Sequence, residues 1–233
     1  MKKSTQVTAL LALPLLVTFC KADAGSERVT ALEKRVEALE QRLKPIQRPQ
    51  LDPNVVVNIP NDDHDVKRGK GKAVLVEAFD FACPYCAMSA KTLDELVEKH
   101  GNEVTVVSKQ YIVHPDTATL PAYASCAANK QNRGGEYESA LWKQAWKWDT
   151  GSPRFDATQT QAPALDKLAK DLKLDVAQFQ KDREGVECKE YVTKQQQMMA
   201  AAGVNGTPSL FVNGKRYQGP RTVDALRTAL LGQ

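Results

Sequence analysis

The feature that most constrains this chain is a cysteine pair set between a strand and a helix. Residues 73–79, Ala-Val-Leu-Val-Glu-Ala-Phe, are apolar at odd and even positions alike except for Glu77. A strand of that kind is buried on both faces and belongs at the centre of a covered sheet. It runs through Asp80-Phe81-Ala82 into Cys83-Pro84-Tyr85-Cys86. A helical pattern then continues to about residue 100, with Cys86, Ala90, Leu93 and Val97 on one inward stripe. Gly101 is suited to end that helix, and residues 104–107 read as a second strand. The order strand, CxxC, helix, strand is an α/β arrangement.

This order sets Cys83 at a helix N-terminus, with Pro84 in the first turn, where a missing N–H is no loss. Unpaired N–H groups and the helix dipole stabilise an anion there. The thiolate is the nucleophilic form, so Cys83 is expected to react near neutral pH. Cys86 falls one turn later on the inward stripe and is the less accessible partner. The chemistry expected of such a pair is thiol–disulfide exchange: Cys83 makes or resolves a mixed disulfide, and Cys86 closes the intramolecular bond. Half of a zinc site is the competing use of CxxC. Its remaining ligands would have to come from Cys126, Cys188 or His114, and the chain has no second CxxC, CxxH or HxxxH. No metal is therefore expected.

Glu77 is the odd residue in its strand. A carboxylate there can accept or relay the proton that Cys86 must lose; the competing reading is a solvent-facing strand end. Lys109, at the end of the second strand, is a candidate countercharge. Residues 67–72, Lys-Arg-Gly-Lys-Gly-Lys, read as a solvated turn before the strand rather than an anion site. Residues 116–203 read mostly as helices, with Tyr123, Cys126 and Ala127 on one face and Cys188, Val192, Gln195, Met199 and Ala202 on another. The tryptophans read as core. Residues 209–212 form a strand, Asn213-Gly214 a tight hairpin turn, residues 215–218 the returning strand, and Val223, Leu226 and Leu230 a last amphipathic helix. Thr207-Pro208 stands at the first of these strands, where a proline is allowed and the X-Pro bond has only a modest penalty against cis.

The N-terminus reads as an address. Lys2 and Lys3 precede an uncharged apolar run and then Ala22-Asp23-Ala24, the pattern of an export signal cleaved after Ala24. Lipidation at Cys20 is a rival that the bulky Phe19 disfavours. The formal charge is +4, and Lys2, Lys3 and Lys21 against Asp23 carry half of it; the remaining +2 does not suit a nucleic-acid binder. Residues 25–46 then carry a heptad seam: Val29, Leu32, Val36, Leu39, Leu43 and Ile46. Arg28 and Arg35 at g face Glu33 and Glu40 at e in a parallel pair. Either this segment holds copies together, through residues 28–46, or it is one amphipathic helix packed on its own domain. Four prolines mark residues 47–72 and their approach as a linker, with an edge strand at residues 55–59.

Glu77, Phe79-Asp-Phe-Ala-Cys-Pro-Tyr-Cys86, the long helical insertion and Val204-Asn-Gly-Thr-Pro208 together resemble the DsbA-like branch of the thioredoxin superfamily over roughly residues 55–233. The resemblance implies a thioredoxin fold in two parts, residues 73–115 and 204–233, around an all-helical insertion at 116–203, preceded by a short coiled-coil helix. It implies an extracytoplasmic, periplasmic thiol:disulfide oxidoreductase with no cofactor beyond its Cys83–Cys86 disulfide. The partners implied are thiol- or disulfide-containing proteins and a membrane or soluble redox partner. It further implies that Pro208 is cis beside the CxxC and that Thr207 offers its backbone to an extended substrate, next to Pro84 and Tyr85. Glu77 matches the family's buried acid, and Lys109 a lysine beside it. Some relatives carry a second disulfide in the insertion, so Cys126 and Cys188 are either paired or two inert buried thiols.

The chain departs from the strongly oxidising archetype in two ways. Pro84-Tyr85 replaces Pro-His, so the redox potential does not carry over. The heptad segment is absent from that monomeric archetype and resembles oligomeric periplasmic isomerases and copper-tolerance relatives. If the segment assembles, an isomerase or reductase is expected; otherwise a monomeric dithiol oxidase, or a non-catalytic peptide-binding chaperone.

Overall fold

The computed structural model describes residues 23–42, 56–62, 64–149 and 151–232. The export signal therefore lies almost wholly outside the described residues, as do Leu43 and Ile46 of the heptad seam. The chain divides into two units, residues 1–47 and 48–233. Among the described residues, the first contains the helix α1 (Asp23–Arg42), on which Val29, Leu32 and Val36 are more than half exposed.

The second unit is built on a five-stranded sheet in the order β1-β3-β2-β6-β7. Its strands are β1 (Val66–Gly69), β2 (Ala73–Phe79), β3 (Val104–Gln110), β6 (Ser209–Val212) and β7 (Lys215–Tyr217). Only β2 and β3 run parallel, joined by the crossover helix α2 (Pro84–His100); such a pair needs a connection of that length. The other neighbours are antiparallel. Asn213 and Gly214, at φ of 50° and 78°, make the β6–β7 turn, which is why Asn-Gly was legible as a hairpin.

Side chains alternate across β2. Leu75 joins Leu93 and Leu96 of α2, Val106, Leu210, and Leu226 and Leu230 of α8 (Val223–Leu231) on one face. Val76 and Ala78 join Val107, Phe211 and Met199 on the other, under α7 (Val186–Ala201). Leu96 is fully buried and Val97 half-buried, so the inward stripe of α2 drifts by one residue from the predicted spacing.

The insertion holds α3 (Pro115–Lys130), α4 (Gly134–Ala145), α5 (Ala162–Asp171), α6 (Val176–Glu184) and α7, with a short 3-10 turn before α5. It is not all-helical: β4 (Trp146–Lys147) and β5 (Arg154–Phe155) pair as a two-stranded ribbon. Trp142 and Trp146 are core, but Trp148 is 45% exposed, with Lys91 Nζ 5.8 Å from its ring. The core reading of the tryptophans thus fails at Trp148, which stands past the end of α4, beyond the periodic pattern.

Three further expectations are corrected. Of the expected strand, the described residues 56–59 make only a bridge, Val56 to Lys215, and the edge strand beside β3 is β1. The basic run is therefore a solvated turn only in its second half, residues 70–72. Its first residues belong to β1, and alternation turns Arg68 inward, 7% exposed, onto Asp94 at 2.5 Å. Lys109 also departs from expectation. Glu77 is in register with Ser108, and Lys109 with Ala78. Lys109 therefore occupies the opposite face from Glu77 and is not its countercharge. Its Nζ meets Asp65 Oδ2 at 2.6 Å and donates to Pro60 O at 2.8 Å.

Cys126 on α3 and Cys188 on α7 are bonded, with Cα atoms 5.6 Å apart and 62 residues between them in sequence. Replacing both by alanine should cost roughly 4 kcal/mol, from the entropy of a loop that long in the unfolded chain. Guanidinium unfolding would check this, and a loss below about 1 kcal/mol would contradict it. Lys109→Met leaves Asp65 buried without its cation and should cost about 3–5 kcal/mol. The same variant should leave the reactivity of Cys83 toward an alkylating reagent unchanged from pH 4 to 8, since Lys109 lies across the sheet from Glu77.

Candidate active site

The site forms where β2 leaves the sheet. Asp80, fully buried, fixes the chain on both sides of the bend. Its Oδ1 accepts from Ala82 N at 2.7 Å, and its Oδ2 from Val113 N and His114 N at 2.6 and 2.7 Å. One carboxylate thereby ties the CxxC approach to the start of the insertion. Gln195 and Gln196 of α7 accept from Gln110 N and Ile112 N at 2.7 and 2.6 Å in the same stretch. Below the bend, Phe79, Phe81 and Trp142 pack with ring centroids 4.9–5.7 Å apart, and Trp146 Nε1 donates to Phe81 O at 2.9 Å. Nothing in the sequence marked Asp80, because two of its three amide partners, Val113 and His114, lie more than thirty residues downstream.

Cys83 caps α2, with Pro84 in the first turn. Both cysteines are free thiols, Cys83 4% exposed and Cys86 fully buried. The Cys83 thiol is lowered to about 5. The main cause is hydrogen bonding from the Cys86 side chain; burial opposes it, and the Thr207 hydroxyl and the backbone N–H groups of Cys86 and Tyr85 add to the lowering. Thr207 Oγ1 is buried and otherwise unpartnered among the described residues. Burial first, then the neighbouring Cys83 and the charge of Glu77, push the Cys86 thiol well above its ordinary range. The two sulfurs are thus separated in role: one ionised at the helix end, one held protonated beneath it.

The loop before β6 completes the rim. The Thr207-Pro208 bond is cis, and Cys83 Sγ lies 3.5 Å from Thr207 O. Arg221 Nη2 donates to Pro208 O at 3.2 Å. Tyr85 is 66% exposed, and Met88 and Val113 are also exposed, making an apolar surround. Cys83, Pro84, Tyr85, Thr207 and Pro208 therefore come together as sequence reasoning grouped them. Lys109 does not join them, and the Cys126–Cys188 bond lies in the insertion between α3 and α7.

Glu77 is buried, 1% exposed, and its carboxyl is raised to about 7. Desolvation is the chief cause; Arg68, a Ser89 hydrogen bond and Arg221 lower it, and Glu138 raises it. Its Oε1 has no hydrogen-bond partner among the described residues. A carboxyl that titrates near neutrality beneath a protonated thiol is equipped to take that thiol's proton. Arg68, not Lys109, is the cation on its face. Sequence reasoning missed it because a four-residue edge strand carries too little periodicity to separate its inward from its outward residues.

Comparison with known proteins agrees with this geometry. A thioredoxin-like oxidoreductase from Silicibacter pomeroyi is 24% identical, with a TM-score of 0.58 over 72% of this chain and 91% of that one. BdbD from Bacillus subtilis is 19% identical, with a TM-score of 0.61 over 75% and 97%. Both likenesses establish the thioredoxin-like α/β fold with its helical insertion. Among curated proteins, a Na(+)/H(+) antiporter NhaA from Herminiimonas arsenicoxydans is 29% identical over 192 residues, 79% of this chain. The chain spans only about a quarter of such relatives, 27% in this case, and among the described residues no helix is long and apolar enough to cross a membrane. The family described as thioredoxin matches residues 62–231, nearly the whole of the second unit and most of the sequence; the chain belongs to that family.

Proposed function

We propose that this protein is an extracytoplasmic thiol:disulfide oxidoreductase that exchanges disulfides with protein substrates through Cys83 and Cys86. The observation that carries this reading is the unequal pair at the head of α2: Cys83 ionised at about 5 and Cys86 buried and held protonated. In the reducing direction, the Cys83 thiolate attacks one sulfur of a substrate disulfide and the other leaves as a thiolate. Cys86 then loses its proton to Glu77 and attacks Cys83 Sγ, releasing the second substrate thiolate. The substrate gains two electrons, and the Cys83–Cys86 disulfide forms. The oxidising direction is the reverse, and the electrons then pass to a separate membrane-bound or soluble redox protein. Thr207 O beside Cys83 supplies a backbone acceptor for an extended substrate segment, and Tyr85 and Pro84 an apolar contact.

Export by the N-terminal signal fits the Cys126–Cys188 bond, since such bonds persist in oxidising compartments. The direction of exchange turns on α1. Its exposed Val29, Leu32 and Val36 and the g–e charge pattern favour a parallel homo-oligomer. Several catalytic units on one stalk suit an isomerase or reductase that must hold a misfolded chain through more than one exchange. A chain that stays monomeric would instead act as a dithiol oxidase.

Ultraviolet titration of the thiolate should show Cys83 ionising with a midpoint near pH 5. Cys83→Ala should abolish turnover of a disulfide-bonded protein substrate. Intact activity in that variant would leave only a peptide-binding chaperone. Light scattering should report an oligomer for the full mature chain and a monomer once residues 25–42 are deleted. The deletion should reduce recovery of a scrambled multi-disulfide protein more than oxidation of a simple dithiol peptide. A monomeric full chain would transfer the reading to the oxidase.

A further inference from the structure

Beside Glu77 lies a second buried carboxyl that the exchange chemistry above does not use. Glu138, on α4, has no exposed surface. Ser108 Oγ and Ser125 Oγ each donate to it at 2.7 Å, and Gln110 Nε2 stands 3.5 Å away. The close seating of α4 brings it there. A side chain at Gly135 would meet Arg68 Cγ and Lys67 O, each at 2.9 Å, so only glycine lets α4 lie directly on β1. Three residues later, Glu138 reaches the inner face of the sheet. Ser108, which it accepts from, is the register partner of Glu77.

The surroundings of the two carboxyls can be followed element by element. Arg68 reaches in from β1, while Asp94 of α2, its ion-pair partner, also accepts from Ser139 Oγ of α4 at 2.8 Å. Ser89 and Cys86 come from α2, Ser108 from β3, Ser125 from α3 and Arg221 from the segment before α8. Glu77 and Glu138, both buried, thus lean on one Arg68 guanidinium that Asp94 already engages. Burial raises Glu138, while Arg68 and the two serines favour its charged form and Asp94 opposes it.

We propose that Glu138 is a positioning residue for Glu77: its charge, delivered from the insertion, sets how readily Glu77 takes the proton of Cys86. This rests on the thiol–disulfide reading and deepens it. The insertion then acts on the chemistry electrically as well as covering it. A charged Glu138 repels charge on Glu77 and draws on Arg68; a neutral one releases Arg68 to Glu77. In the resolving step, the Cys86 proton passes to the Glu77 carboxylate, the Cys86–Cys83 sulfur bond forms, the bond from Cys83 to the substrate sulfur breaks, and that sulfur leaves as a thiolate.

The test uses the full mature chain loaded as a mixed disulfide between Cys83 and glutathione, following glutathione release from pH 5 to 9. The wild-type rate should rise with a midpoint near 7, where Glu77 ionises. Glu138→Gln keeps a group of the same shape beside the serines and removes the charge. Its midpoint should move to lower pH, raising the release rate at pH 6 about threefold, the effect of half a pKa unit. Glu138→Asp, which restores a charge, should move the midpoint back toward wild type. Should Glu138→Gln fail to fold, Ser125→Ala weakens the charged form of Glu138 without touching Glu77 and should shift the midpoint the same way by less. An unmoved midpoint in whichever of these two variants folds overturns the proposal. Carboxyl-carbon NMR titration of Glu77 in the dithiol protein, with and without Glu138→Gln, reads the coupling with no turnover. A shift seen there alongside an active Cys83→Ala variant would uphold the coupling and reject the exchange reading instead.

Discussion

The burial of β2 on both faces is the constraint on which the rest of this structure depends. A central strand has no access to water, yet its last residues must deliver a reactive cysteine to the surface. The chain resolves this by ending the strand at Phe79, turning at Asp80 and starting α2 at once, so that Cys83 reaches the rim while Cys86 stays beneath it. The strand also carries a carboxyl into that interior. An acid raised from 4.5 to about 7 on folding contributes stability that is complete at acid pH and is lost as pH climbs through that window. The loss approaches roughly 3 kcal/mol above pH 7. Cys83 works with the opposite sign. Its thiol is depressed from 9.0 to about 5, so the reduced fold gains stability as pH rises from 5 toward 9 and loses it as pH falls back through 5. The oxidised fold has no such thiolate and keeps only the cost of Glu77. Rising pH across this range therefore favours the dithiol over the disulfide, relative to an ordinary thiol pair.

The sheet also keeps its buried charges apart. Lys109 and Asp65 lie on the α7 face, where Gln195 Nε2 adds a hydrogen bond to Asp65 Oδ1 at 2.9 Å. Arg68, Asp94, Glu77 and Glu138 lie on the α2 face. The first group is locally neutral and fastens the segment before β1 to α7. The second, even with Arg221 beside Glu77, has an acid in excess, which is what leaves a proton exchangeable near neutral pH. A single residue of register separates these outcomes: had Lys109 been paired with Glu77, the carboxyl would have had a full countercharge and would have been pushed toward permanent ionisation.

Much of this was legible in the residues. The two-faced strand, the CxxC at a helix start, Thr-Pro before a strand and the Asn-Gly hairpin are local patterns, and local patterns survive into the fold. What stayed hidden was tertiary. Lys109 looked like a partner for Glu77 because both sit on neighbouring strands, but alternation and register decide the face, and neither is fixed by sequence spacing. Arg68 was lost in a basic run. Glu138 carries no mark of its own in a helical segment, and the sole local signal is Gly134-Gly135 ahead of it, which permits close packing. Asp80 drew no notice beside the cysteines, since two of its amide partners, Val113 and His114, come from the segment after β3. Trp148 was grouped with its buried neighbours by residue type alone, and type does not tell which of three nearby tryptophans reaches the core.

The properties of Cys83 do not by themselves choose between oxidase and isomerase. A depressed thiol stabilises the reduced pair, which makes the disulfide a better oxidant; it also keeps Cys83 ionised, which an isomerase needs for each new attack. Both uses follow from the same hydrogen bonds at the head of α2. The choice must then come from how long a substrate stays near the site after the first exchange. An oxidase is served by release once its disulfide is handed over. An isomerase is served by retention, and retention scales with the effective concentration of further sites close by. The segment of this chain able to supply such sites is α1, whose apolar seam is exposed along the described part of its length. On the function proposed above, the cysteines that carry the exchange and the apolar seam that would hold copies together are separate parts of the sequence, the first at the head of α2 and the second on α1.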